Sequence, residues 1–171
     1  MATNLATNGM SAGHGIRVEY INPFIESVRD LFSTMLTCNA QRGNVTLSNG
    51  KAEEQGIMAI IGLSGPTRGS VALDLPSQTA FNIVGRLFGE TPTAFDPDVL
   101  DTVAEMANIV GGGAKARLRN DSYPIDLGLP TVVVGGDYHV HHPTQSTWLE
   151  IPFASELGGF KLRVTFGADE G

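Results

Sequence analysis

Three polar side chains are spaced so that a single helix would carry them on one stripe. Asp101, Glu105 and Asn108 stand at i, i+4 and i+7, within about 60° of arc at 100° per residue. Two are carboxylates, acceptor-only when ionised, and the third is a carboxamide that both donates and accepts hydrogen bonds. Gly112 continues the stripe one turn later, inside Gly111-Gly112-Gly113. Each glycine costs a helix interior roughly 0.5–1 kcal/mol relative to alanine, so the run points to a close approach at that level. The polar face of any amphipathic helix carries residues of these types, and spacing alone marks a candidate site without naming a reaction.

Other groups carry weaker signals. His139, His141 and His142 lie within four residues, and the first two share a side if the segment is extended. They lack the flanking ligand spacing of known zinc motifs, which leaves them as edge or loop histidines. Cys38 has no histidine close in sequence and reads as a small buried apolar residue. The loop Ser64-Gly65-Pro66-Thr67-Arg68-Gly69 is glycine-rich, but it lacks the Gly-Lys-Ser/Thr ending of a phosphate-binding loop and leads into a strand pattern.

The elements that would position the stripe follow from hydrophobic periodicity. Asp96-Pro97 supplies an N-cap and a first-turn proline. Val99, Leu100, Val103, Ala104, Met106, Ala107 and Val110 then form a broad apolar side, predicting a helix to about Arg119. An earlier helix begins at Asn22, with Pro23 in its first turn and Phe24, Ile25, Val28, Leu31, Phe32, Met35 and Leu36 on one face, ending near Cys38. Between them, Pro76-Ser77 opens a short helix that stops at Gly89. Strands are expected around Val45 and Leu47, over 57–63 and 70–75 as a hairpin, at 131–134, and over 146–154 and 160–166 as a second hairpin. Pro152 assigns the first strand of that last pair to an edge or a bulge.

Helix plus about three strands thus occurs twice, with a helix between, as in a divergent duplication. The expected fold is α+β, a mostly antiparallel sheet of about six strands with its helices packed on one face. Residues 1–20, poor in apolar side chains, are expected to form a flexible tail, 21–167 one domain, and 168–171 a frayed end.

At 171 residues and 42% apolar, the chain is long enough for one domain with a real core. Eleven Lys+Arg against 18 Asp+Glu give a formal charge of −7, which repels phosphate backbones and argues against nucleic acid. No apolar stretch approaches the roughly 20 residues of a membrane span. The first twenty residues lack the basic stretch and apolar core of a secretory signal, and one cysteine suits a reducing compartment, so the cytoplasm is expected.

The run DTVAEMANIVGGGAKARL, with Asp101-x-x-x-Glu105-x-x-Asn108, resembles the Asp/Ser-x3-Glu-x2-Asn signature of the CheC/CheX chemotaxis phosphatases, including a downstream proline, here Pro130. The likeness extends to the opening INPFIESVRDLFSTML and to the order of elements over about residues 20 to 167. In the first half, Asn22-x-x-x-Glu26-x-x-Arg29 occupies the equivalent place, with arginine where asparagine belongs. CheC-like members carry two active copies, whereas CheX-like members carry one and dimerise. The chain therefore resembles CheX, with Glu26 a relic or a surface residue.

The resemblance implies a phosphatase acting on the phosphoaspartate of a CheY-type response regulator. No cofactor of its own is implied, since the receiver brings its Mg²⁺. Asn108 would orient the attacking water, as a glutamine does in GTPases, and Glu105 would bind the receiver's phosphate-contacting lysine. Asp101 and Gly112 would belong to the docking surface, and a homodimer is implied. The alternative reading is a non-enzymatic adaptor that binds receiver or flagellar-switch proteins through the same helix face.

Overall fold

The computed structural model describes residues 18–52, 54–66, 68–121, 123–141 and 147–167. Regular structure is present from Val18, where Val18–Tyr20 form a 3-10 turn, so three residues of the stretch expected to fray are ordered. The Tyr20 ring meets Tyr123 edge-on at 4.8 Å. Residues 1–17 and 168–171, expected as tail and frayed end, lie outside the described residues.

In chain order the elements are α1 (Asn22–Met35), β1 (Gln41–Arg42), β2 (Thr46–Ser48), β3 (Gly56–Ser64), β4 (Gly69–Pro76), α2 (Ser77–Phe88), α3 (Pro97–Asn120), β5 (Asp126–Leu127), β6 (Thr131–Gly135), β7 (Trp148–Ala154) and β8 (Phe160–Phe166). All strand pairs are antiparallel. The eight strands fill six positions, because β1 and β2 both pair β7 at one edge while β5 and β6 both pair β3 at the other. The sheet thus reads β1/β2, β7, β8, β4, β3, β5/β6. Exchanging the two halves of the chain reverses this order onto itself, with β4 and β8 at the centre. Each half gives its edge strand to the other half's hairpin, so neither half closes its sheet alone.

Both edges break in the same way. From Arg42 to Thr46 the edge takes four steps where β7, from Phe153 to Glu150, takes three. From Leu127 to Thr131 it again takes four where β3, from Leu63 to Ile60, takes three. One extra residue in each edge is a β-bulge. Gly43 N–H donates to Pro152 O at 2.7 Å in the first, and Gly128 N–H to Gly62 O at 2.9 Å in the second. Of the edge or bulge expected from Pro152, the structure gives the bulge: β7 sits one strand in, and the edge strand breaks into β1 and β2 opposite Pro152 as it breaks into β5 and β6 opposite Gly62.

Alternation along the strands separates the two faces. Ile57, Ala59, Ile61, Leu63, Val71, Leu73, Leu75, Ile151, Phe153, Leu162 and Val164 point to the helices and join one buried core with Phe24, Phe32, Val103, Met106 and Val110. Phe32 of α1 stacks on Phe160 at 4.7 Å, and Phe160 on Phe153 at 5.1 Å, tying helix to sheet. The opposite face carries a small cluster of Met58, Ala72 and Trp148, with Tyr138 and Val140 packed over it. It also holds Asp74, Glu150, Lys161 and the buried Arg163.

Helix ends follow their local chemistry. α2 stops at Gly89, whose φ of +84° suits glycine. α3 starts where the Asp96 carboxylate accepts a hydrogen bond from Val99 N–H at 3.0 Å, with Pro97 in its first turn. Asp96→Ala is expected to cost about 1 kcal/mol, which lowers the thermal midpoint by about 2–4 °C with activity per folded molecule unchanged. Calorimetry checks the first outcome and an activity assay the second. The earlier helix ends at Met35, capped by Leu36 N–H on Phe32 O at 3.2 Å, one turn short of the expected Cys38.

Candidate active site

α3 lies across the sheet between α1 on one flank and the β5–β6 edge on the other. Val99, Val103, Met106, Ala107, Val110, Ala114 and Leu118 are buried beneath it. The opposite stripe is left open, and Asp101, Glu105, Asn108 and Gly112 are all exposed on it. None of the Asp101, Glu105 and Asn108 side chains takes part in the hydrogen bonds or ion pairs formed among the described residues. At the helix start, Val99 N–H donates to the Asp96 carboxylate. The stripe therefore presents two carboxylates and a carboxamide to solvent with no engagement among the described residues.

The three glycines divide their work. Gly113 faces α1, where a Cβ would run into the Ser27 hydroxyl, and Gly111 faces the edge, where a Cβ would lie 3.2 Å from the Leu127 side chain. Both let α3 settle close to its neighbours. Gly112, the one on the stripe, has nothing within 4 Å of a Cβ position. The close approach within the fold belongs to its neighbours, and Gly112 leaves an open, shallow place on the surface.

The flanks are fastened by charge. Arg117 of α3 pairs with Asp30 of α1 and donates to Gly113 O at 3.2 Å, and Lys115 pairs with Asp126 at 3.2 Å. These two bridge α3 to both neighbours. The corresponding stripe of α1 is closed. Glu26 and Arg29 are both exposed, and the guanidinium donates to the Glu26 carboxylate at 2.8 Å. Arginine at that position occupies the carboxylate that, in α3, has no partner among the described residues.

The weaker candidates fall elsewhere. Cys38 is buried, and burial first, then the Glu156 charge, pushes its thiol pKa up, which disfavours the nucleophilic thiolate. His139 pairs with Lys51 in an isolated bridge and His141 is exposed, while His142 lies outside the described residues. Among the described residues no group of three or more His, Cys, Asp or Glu could hold a metal ion. No helix among them is long and apolar enough to cross a membrane.

What sequence reasoning missed is the buried charge cluster on the other face. Arg163 is 2% exposed, with its guanidinium 2.9 Å from Asp74, 3.4 Å from Glu150 and donating to Lys51 O at 3.1 Å. Burial pushes the Asp74 carboxyl up, outweighing the opposing pull of Arg163 and Lys161. Alternation in FKLRVTF and VALDLP placed these charges on one face. The cover supplied by residues around Tyr138 had no signal of its own.

Comparison with known proteins agrees with this fold. Residues 57–154 match the family described as chemotaxis phosphatase CheX. The CheY-P phosphatase CheX of Thermotoga maritima is 24% identical over 121 residues, covering 70% of this chain and 78% of that one. A CheC-like superfamily protein from Shewanella sp. PV-4 superposes with a TM-score of 0.81 at 30% identity, covering 88% of this chain and 99% of that one. The CheX–CheY–BeF3–Mg²⁺ complex from Borrelia burgdorferi shares the fold, with a TM-score of 0.75 at 24% identity over 88% and 99% of the two chains. On the family match and the shared α+β fold, this chain belongs to the CheX family of chemotaxis phosphatases.

Proposed function

We propose that this chain hydrolyses the phosphoaspartate of a CheY-type receiver, with Asn108 orienting the attacking water and Glu105 docking the receiver's lysine. The observation that carries the reading is the exposure of both side chains on one stripe of α3 that nothing among the described residues engages. Support comes from the family match, from the Thermotoga relative named a CheY-P phosphatase and from the Borrelia CheX crystallised with CheY.

An aspartyl phosphate needs a water held in line with the bond that breaks. The Asn108 carboxamide accepts one hydrogen bond through its oxygen and donates through its nitrogen, so it fixes a water's position without taking a proton. The water oxygen bonds to phosphorus, the bond from phosphorus to the aspartyl oxygen breaks, and aspartate leaves as its carboxylate. The water's protons leave on the inorganic phosphate. Mg²⁺ belongs to the substrate, held by the receiver. Glu105, one turn from Asn108, supplies the anion that a receiver lysine pairs with, which fixes the register of docking.

Glu105→Ala is expected to raise the receiver concentration at half-maximal rate by about tenfold or more, in line with the 1.5–3 kcal/mol of a charge-assisted hydrogen bond. A titration of phosphate release against receiver concentration checks it. An unchanged midpoint with unchanged maximal rate would remove Glu105 from the site. The same reading pairs two copies through a sheet edge, for which β2 offers an outer side unpaired among the described residues and a Leu47 that is 74% exposed.

A further inference from the structure

Of the buried residues of α1, Ser27 alone is polar, 3% exposed between apolar neighbours. Hydroxyls within helices commonly bond back to the preceding turn, as Thr34 does to Asp30 O and Thr102 to Asp98 O. Ser27 crosses to the next helix instead and donates to Ile109 O at 3.4 Å. Ile109 follows Asn108 in the chain, and its carbonyl also accepts from Gly113 N–H in the i to i+4 pattern of α3. The hydroxyl therefore bears on the turn of α3 that links Asn108 to Gly113.

That turn is held from both sides. Toward α1, a Cβ at Gly113 would run into the Ser27 hydroxyl and stand 3.1 Å from the Ser27 Cβ, while Arg117, paired with Asp30, donates to Gly113 O at 3.2 Å. Toward the sheet edge, a Cβ at Gly111 would stand 3.2 Å from Leu127. Asn108 is exposed and engages nothing among the described residues, so the direction of its carboxamide is inherited from the rotation of the backbone beneath it. A rotation of about 10° carries a group ~6 Å from a helix axis by about 1 Å, and a misplacement of that size costs a positioned reaction about a hundredfold.

We propose that Ser27 is a positioning residue for Asn108: lodged against Ile109 O and Gly113, it sets the rotation of α3 that aims the carboxamide. This rests on the phosphatase reading. The first half of the duplication, whose own stripe is closed by Arg29, then keeps a part in the reaction by holding the helix of the second.

The test is steady-state phosphate release from a panel of phosphorylated CheY-type receivers by full-length wild type, Ser27→Ala, Gly113→Ala and the double variant Ser27→Gly with Gly113→Ala, beside thermal midpoints. Ser27→Ala folds, because Ile109 O keeps its helical partner and no buried group is orphaned. It is expected to lower the maximal rate about 5–20-fold, and Gly113→Ala, which drives a methyl into the hydroxyl, about a hundredfold. The receiver concentration at half-maximal rate stays unchanged in both, since a flexible ion pair at Glu105 tolerates a shift that an in-line water does not. The double variant puts the methyl into the gap the hydroxyl leaves, so its rate recovers most of the Gly113→Ala loss although glycine in α1 keeps its midpoint below wild type. A wild-type maximal rate in Ser27→Ala and Gly113→Ala would overturn the positioning role and leave the phosphatase reading intact. So would a change confined to the half-maximal concentration, or rates that simply follow the midpoints with no recovery in the double variant. Absence of phosphate release by wild type from every receiver would overturn both.

Discussion

Replacing Asn108 by alanine is expected to lower stimulated phosphate release by about 10²–10⁴-fold, the range in which positioned proton-transfer and oxyanion groups act. That loss corresponds to about 3–5 kcal/mol of barrier. The fold should be untouched. Asn108 is exposed, engages nothing among the described residues, and sits in a helix where alanine is the better former. Two further substitutions separate positioning from mere polarity. Asn108→Gln carries the same amide one methylene further out and moves the water off line, so it should recover part of the rate at most. Asn108→Asp keeps an acceptor, loses the donor and adds a negative charge facing an anionic phosphoryl group, so it should be no better than alanine. Binding of the activated receiver should survive in all three. Steady-state rates at saturating receiver, beside calorimetric midpoints, distinguish these outcomes.

The second large effect is on stability and lies on the other side of the sheet. Arg163→Ala is expected to destabilise the chain by about 3–5 kcal/mol, because it leaves carboxylates in a covered place without their counter-charge. The Asp74 and Glu150 side chains are 18% and 15% exposed, so water restores little of what the guanidinium provides. For a chain of this length the thermal midpoint should fall by roughly 6–20 °C. The loss should shrink as pH falls towards the range in which Asp74 protonates. Asp74 already has a carboxyl pKa raised by burial, and removing Arg163 raises it further. The native state then binds more protons than the unfolded chain, so stability falls as pH rises between the unfolded and folded pKa values. Replacing Asp74, Glu150 and Arg163 together by apolar residues of similar size should cost far less than Arg163→Ala alone. Denaturation curves at several pH values check both statements, and activity per folded molecule should not change.

How far the sequence could be read depended on whether the determinants were local. α3 was legible because Asp96, Pro97 and the spacing from Val99 to Val110 are local signals of a capped amphipathic helix. The hairpin of β3 and β4 was legible from two apolar runs and a glycine-rich turn, and it pairs from Gly56 with Pro76 to Leu63 with Gly69. β1 and β5, two residues each, carry no periodicity. They exist because β7 and β3 offer them partners, and a partner is not encoded at the site of pairing. For the same reason the duplication was visible as a repeat of elements while the exchange of edge strands between halves was not. At the stripe, residue types and spacing located the surface group, but not which glycine makes the close approach: a helical wheel gives the angle of Gly113, and only the position of α1 shows that Ser27 fills it. Arg163 escaped because its burial depends on segments distant in sequence, around Lys51 and Tyr138.

The most direct measurement is the rate of phosphate release from a pre-phosphorylated CheY-type receiver in Mg²⁺, with wild type and Asn108→Ala side by side at saturating concentration. Wild type should accelerate release well above the receiver's own rate, and Asn108→Ala should fall back to within about tenfold of that unassisted rate while still binding the beryllium fluoride form. Equal acceleration by both proteins would contradict the assignment of the water-positioning role to this carboxamide.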